Sequence, residues 1–375
     1  MVRPPNQAFV EPTRACNFRC EHCFRSSRPL KESELPKEVL FNVFDQLFEI
    51  GCFAVTITGG EPLLRKDLLD ILEYSRQYGE AQIHLLFTNG SLWTREFFDQ
   101  FIHICKRQPL QVQISLDGYS YETYSAVRGG TPQDFKRVLR TIGWLHQAEV
   151  PLSACFTVTK KNIDYTFKTA RWALEELGMD SFHVIPLFVS GRAVSNYEKL
   201  MFSFEEWKTL VGDLTIIKRD GLWDGTERRV TLGFHTWYQL VYALEQQGLK
   251  KEIETVWNMN KEEFTSMFRK VFCVAGITDL CVMSNGDVYP CTPSIGTEFV
   301  LGNVRETSLE ELWENSPVLQ WFRTKAREAG KKEPCTSCEY TDVCSGGCRV
   351  SALVLTHDKT APDPRCPFVQ AYQKR

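Results

Sequence analysis

Five short runs of β-branched, aromatic and aliphatic residues between positions 53 and 187 are separated by helical patterns, an alternation that limits the chain to a parallel α/β architecture. The runs are Phe53–Thr58, Ile83–Thr88, Val112–Leu116, Leu152–Val158 and His183–Leu187; helical spacing covers Leu68–Tyr74, Glu96–Cys105, Asp134–His146 and Thr166–Leu177. Strands joined through helices of this length need right-handed crossovers, which set them parallel. Just past their C-terminal ends stand Thr58-Gly59-Gly60-Glu61, Thr88-Asn89-Gly90, Ser115 with Asp117-Gly118, and Thr159 with Asn162. That rim is where parallel α/β folds bind ligands, because its loops vary while the strands stay fixed.

A shorter apolar segment, Ala8-Phe9-Val10, leads to Cys16-Asn17-Phe18-Arg19-Cys20-Glu21-His22-Cys23, which hangs over the same rim. Thiolates are soft ligands for zinc and iron–sulfur clusters. Three of them supply one ligand fewer than a cubane cluster's four irons require, leaving one iron open. The chain holds 14 cysteines in 375 residues and is too large to need disulfide staples, so in a reducing compartment its clustered cysteines mean metal or chemistry. Cys273, Cys281 and Cys291 form a second group, and Cys335, Cys338, Cys344, Cys348 and Cys366 a third. On spacing alone, Cys335-x2-Cys338 with Cys344 and Cys348 could instead hold one tetrahedral zinc. Cys52, Cys105 and Cys155 stand alone among apolar residues and read as packing.

The net charge of −3 gives no basic footprint for nucleic acid, and no apolar run is long enough to cross a membrane. The N-terminus lacks the apolar core of a secretion signal, which makes the cytoplasm the expected location. Residues 201–266 read as an aromatic-rich helical bridge between a first domain, 1–200, and a cysteine-rich one, 267–375. Trp207, Trp223, Phe234, Trp237, Tyr238 and Trp257 there are expected to pack between domains. His84, His146, His183 and His235 show no metal-like arrangement and read as packing.

Cys16-x3-Cys20-x2-Cys23, with His22 at the aromatic position, resembles the signature of the radical S-adenosylmethionine (radical SAM) enzymes, and Gly59-Gly60-Glu61-Pro62 resembles their motif for the methionine amino group. The resemblance spans residues 7–190 and implies a partial (β/α)6 TIM-like barrel. It implies a [4Fe–4S] cluster on Cys16, Cys20 and Cys23 whose open iron chelates S-adenosylmethionine. Electron transfer to the sulfonium would then release a 5′-deoxyadenosyl radical. Glu61 with the Gly59 and Gly60 backbone is expected at the ammonium, Ser115 and Asp117 at ribose and carboxylate, and Arg128 at the carboxylate as a charge-assisted fork. Asn89 ends its strand near the same space, Ile185 frames the adenine, and His22 packs on cluster or adenine.

The seven cysteines Cys273, Cys291, Cys335, Cys338, Cys344, Cys348 and Cys366 resemble the SPASM domain, a small α+β extension that binds two auxiliary [4Fe–4S] clusters; Asn285-Gly286 fits its tight hairpin. The resemblance assigns Cys273, Cys291 and Cys348 to the first cluster and Cys335, Cys338, Cys344 and Cys366 to the second. Cys281 is the candidate to complete the first. Three [4Fe–4S] clusters and S-adenosylmethionine are therefore the expected cofactors.

Enzymes of this architecture mostly modify peptides or proteins, so oxidative crosslink or thioether formation in a ribosomally made peptide is the first expectation. Formylglycine formation in a sulfatase, which needs a carboxylate base, and side-chain chemistry on a tetrapyrrole are the alternatives. The implied partners are a peptide or protein substrate and an electron donor such as flavodoxin or ferredoxin. The first strand begins near residue 7, so no N-terminal leader-binding module is expected; either a separate leader-peptide-binding protein supplies that function or the substrate is recognised directly.

Overall fold

The computed structural model describes residues 3–27, 34–77, 83–106, 110–233, 236, 238–258 and 273–374. Phe234, His235 and Trp237 lie outside the described residues. Strands β1 (Gln7–Thr13), β2 (Ala54–Gly59), β3 (Ile83–Thr88), β4 (Gln111–Ser115), β5 (Leu152–Val158), β6 (Ser181–Pro186) and β7 (Val230–Leu232) lie side by side in chain order, every neighbouring pair parallel. The order is linear, so the barrel is partial.

The crossovers run through helices α1 (Lys37–Glu49), α2 (Leu68–Ser75), α3 (Arg95–Cys105), α4 (Tyr121–Arg128), α5 (Pro132–Gln147) and α6 (Thr166–Arg171), the last continuing as a π-turn through Glu176. Helix α7 (Phe204–Asp220) leads on to β7. Local chemistry sets several boundaries. Thr131 and Asp134 form a capping box with Pro132 in the first turn of α5, and Ser203 with Glu206 does the same for α7. Gly221 stops α7 in the left-handed conformation, φ 64°.

Alternation along the strands divides the molecule into two environments. Ala8, Val10, Leu86, Val112, Ile114, Ala154, Phe156, Phe182 and Val184 point outward and are completely buried beneath the helices. Helix α1 meets them with Leu40, Val43, Phe44 and Leu47, a stripe at helical spacing. The intervening residues, among them Phe9, Phe87, Gln113, Ser115, Cys155, Thr157 and Ile185, turn inward and line a cavity.

The sheet also runs into the cysteine-rich region. Strand β8 (Asp279–Val282) pairs parallel with the free side of β1, and β9 (Asp287–Tyr289) and β10 (Gly302–Asn303) continue antiparallel. The β8–β9 turn is Asn285-Gly286 as expected. Gly286 has φ 94°, and an added Cβ would stand 2.5 Å from Asn303 Oδ1. Helices α8 (Leu309–Asn315), α9 (Pro317–Thr324), α10 (Arg349–Thr356) and α11 (Pro367–Gln373) complete this region.

Candidate active site

The loop that follows β1 carries the first three cysteines, and its shape is imposed by distant segments. Gly60 N donates to Thr13 O at 2.9 Å and Glu61 N to Ala15 O at 2.7 Å. A side chain on Gly60 would overlap the Ala15 carbonyl, so the glycine is needed for this backbone-on-backbone contact. Asn17 Nδ2 donates to Ser91 Oγ and Asn89 Nδ2 to Asn17 Oδ1, both at 2.9 Å. On the other flank Arg192 donates from Nε to Cys20 O at 3.0 Å and from Nη1 to Ser27 O at 2.6 Å, while its own N–H reaches Cys23 O.

Cys16, Cys20 and Cys23 line one wall of a cavity of about 580 Å³ inside the barrel. His22, Gly59, Gly60, Asn89, Ser115, Arg128 and Ile185 line it too, so the structure brings these sequence-predicted residues together. Burial pushes the Cys16 thiol up to about 12 and the Cys20 thiol up to about 11. Buried thiolates need a cationic partner, and iron held by these three cysteines would provide one. The enclosed space beside them, edged by close-set glycine backbone and a serine hydroxyl, suits the cofactor that the open iron would hold. His22 is pushed down to about 3 by burial and then by Arg128, so it stands as a neutral ring, its buried Nδ1 without a hydrogen bond.

Two expected cofactor contacts are turned away from the cavity. Glu61 is completely buried and spends its carboxylate on the rim: Oε1 accepts from Thr88 Oγ1 at 2.6 Å and Leu63 N at 3.4 Å, and Oε2 from Asn89 N at 2.7 Å. Three donors behind the rim outcompete the cavity for it. Burial, only partly offset by these bonds, raises Glu61 to about 7. Asp117 is likewise fully buried, accepting from Thr157 N at 2.7 Å and pairing with Arg128 Nε at 2.6 Å. Burial raises Asp117, and Asp117 in turn overcomes the burial of Arg128 and holds that guanidinium above its ordinary range. Arg128 therefore reaches the cavity as the upper half of an ion pair rather than as a free fork.

Sequence reasoning missed Arg192, Cys155 and Thr157. Cys155 is cavity wall rather than plain core; its register opposite Ser115 puts it there. Arg192 follows Gly191 just beyond the end of β6, so the rim rule that found the other loops could have found it.

The C-terminal cysteines gather in two places. Cys335, Cys338, Cys344 and Cys366 surround a cavity of about 30 Å³, closed by Gly346, Gly347 and Phe368. Cys273, Cys291 and Cys348 meet in a separate apolar cluster with Phe299 and Phe322. Both groupings coincide with the sets implied by the resemblance. Cys281 stands apart: it is completely buried on β8, registered against Phe9 and Tyr289, and packs with Met283, Tyr289 and Ile295. Cys291 lies within its electrostatic reach.

Residues 10–173 match the radical SAM superfamily, and residues 273–339 match an iron–sulfur cluster-binding domain, SPASM. The AdoMet-dependent heme synthase of Methanosarcina barkeri is 30% identical over 377 residues, 98% of each chain. The mycofactocin maturase MftC of Mycolicibacterium smegmatis is 27% identical over 359 residues, 95% of this chain and 81% of that protein. Among solved structures, Streptococcus suis SuiB bound to S-adenosylmethionine superposes with a TM-score of 0.72 at 19% identity, over 97% of this chain and 78% of that one, a likeness of fold. The chain belongs to the radical SAM superfamily and carries a SPASM domain. It is a radical SAM oxidoreductase with one S-adenosylmethionine/[4Fe–4S] site and auxiliary clusters, generating a 5′-deoxyadenosyl radical for oxidative modification of a substrate.

Proposed function

We propose that the substrate is a tetrapyrrole bearing carboxylate side chains, one of which is oxidised. The observation that carries this reading is the charge of the cavity wall. Arg128 and Arg192 line it, the first paired with the buried Asp117 and the second bonded to loop carbonyls, and among the described residues no Asp or Glu faces it. Phe9, Phe18, Phe24, Phe87 and Phe188 add aromatic faces to a wall that also carries glutamine, asparagine, serine and threonine side chains. Aromatic faces suit a flat apolar ring, and guanidinium groups suit its acidic arms. End-to-end similarity to a heme synthase supports the same choice, which puts the tetrapyrrole ahead of the peptide expected from sequence.

When bound, the cluster and S-adenosylmethionine supply a carbon radical able to take a hydrogen atom from an unactivated position. The chain's own work is to hold and enclose. Cys16, Cys20 and Cys23 would anchor the cluster, while Gly59, Gly60, Asn89 and Ser115 would shape the cofactor's bed. The apolar wall excludes water and orients the target carbon. Arg192 braces the cysteine loop through its carbonyls.

The similarity to the mycofactocin maturase keeps peptide maturation as the second reading. Sulfatase maturation fares worse, because it needs a carboxylate base and the described wall offers none. The test is incubation of the reduced, reconstituted enzyme and S-adenosylmethionine with a propionate-bearing porphyrin, with and without iron, beside a panel of peptides. A change in porphyrin mass matched by 5′-deoxyadenosine is expected. Modified peptide with untouched porphyrin would reverse the two readings.

A further inference from the structure

Among the described residues no carboxylate pairs with the buried cation Arg349. Its side chain is 1% exposed, and every hydrogen bond it makes ends on a backbone carbonyl. Nε donates to Gly347 O at 3.2 Å. Nη1 donates to Lys359 O at 3.3 Å and Ala361 O at 2.7 Å. Nη2 donates to Gly347 O at 3.1 Å and also to Gly346 O. The nearby carboxylate of Asp363 is taken by Arg365, which grips it from Nε at 3.1 Å and Nη2 at 2.8 Å. Carbonyl dipoles satisfy Arg349's donors but leave its charge uncancelled, and an isolated charge out of water costs several kcal/mol.

The missing counter-charge lies on both sides. Arg349 directly follows Cys348, a member of the three-cysteine group. Its carbonyl partners Gly346 and Gly347 form part of the wall of the four-cysteine cavity.

We propose that Arg349 is a positioning residue with a shared electrostatic role: one fixed guanidinium, seated between the two auxiliary cluster sites, stabilises the more negative, reduced state of both. It raises the two reduction potentials together, and its carbonyl clamp holds the loops of Cys344, Cys348 and Cys366 at one spacing. The proposal rests on the assignment of these cysteines to two clusters.

Redox titration of the full, anaerobically reconstituted chain, followed by paramagnetic resonance and iron analysis, tests it. In Arg349→Gln with wild-type iron, both auxiliary centres should become harder to reduce. The oxidised-to-reduced ratio at a fixed potential should rise about tenfold, equivalent to about 59 mV for one electron. The N-terminal centre should not move, and Arg349→Lys should restore both values. Unchanged potentials, or a shift in one auxiliary centre alone, would overturn the shared role. Should the Gln variant lose auxiliary iron, the Lys variant decides. Iron retained at wild-type potentials supports the charge, whereas iron lost there too shows that only the carbonyl clamp matters and overturns the proposal. Wild-type iron on the order of four per chain, one cubane's worth, would instead remove the auxiliary clusters themselves.

Discussion

At the scale of single residues, Glu61 shows how a motif can be visible in the sequence while the partners of its side chain are not. Gly59-Gly60-Glu61 does stand at the cofactor rim, yet the carboxylate ties β3 to the loop behind it. Two of its three donors lie 27 and 28 positions away, and Asp117 meets Thr157 from 40 positions away. No local pattern reveals such contacts, whereas Cys16, Cys20 and Cys23 stand within eight residues; the interleaved C-terminal sets came from the family resemblance rather than from spacing. The buried Glu61 has a pH signature. Its folded value, about 7, lies above the ordinary 4.5, so folding favours the protonated form. The stability it contributes is complete below pH 4.5 and is lost as pH rises through 7, amounting to about 3 kcal/mol. Glu61→Gln should flatten the stability profile across that window in denaturant titrations of the protein without S-adenosylmethionine. A wild-type profile equally flat would mean that Glu61 is already ionised in mild acid.

Among the elements, the parallel strands were the most legible, because β-branched residues ending at glycine carry both type and boundary. Strands β3 and β5 coincide with their expected limits. Strand β7 is three residues long, too short for alternation to register, and the π-turn after α6 has no periodic signature. Helix α1 did carry a signal, since Leu40, Val43, Phe44 and Leu47 follow the helical period. Phe44 is fully buried against the outer face of the sheet. Phe44→Ala should therefore cost about 3–5 kcal/mol in urea unfolding, with iron content unchanged at permissive temperature. A loss below 1 kcal/mol would show that the helix repacks freely.

For the whole molecule, the bonded pair β1 and β8 governs cooperativity. Residues 7–10 and 279–282 share one ladder, so the barrel and the cysteine-rich region have a strand interface rather than a tether. The expected boundaries near 200 and 266 follow composition, and composition does not reveal that a late strand returns to pair with the first. Calorimetry of the cluster-loaded protein should give one endotherm for both regions; two separated endotherms would show that the shared sheet does not couple them.

The grip of the chain's second half on the first cysteine loop also dictates when metal can arrive. Cys20 is held by Arg192 from 172 positions downstream, Ser27 by the same side chain from 165, and Glu21 by Asn196 from 175. During synthesis the three thiols leave the ribosome well before the residues that shape their loop. For that interval they are open to oxygen and stray zinc. The loop therefore acquires its full set of braces only after residue 196 has emerged. A fragment ending before residue 190 would contain Cys16, Cys20 and Cys23 but lack the Arg192 and Asn196 bonds that brace their loop.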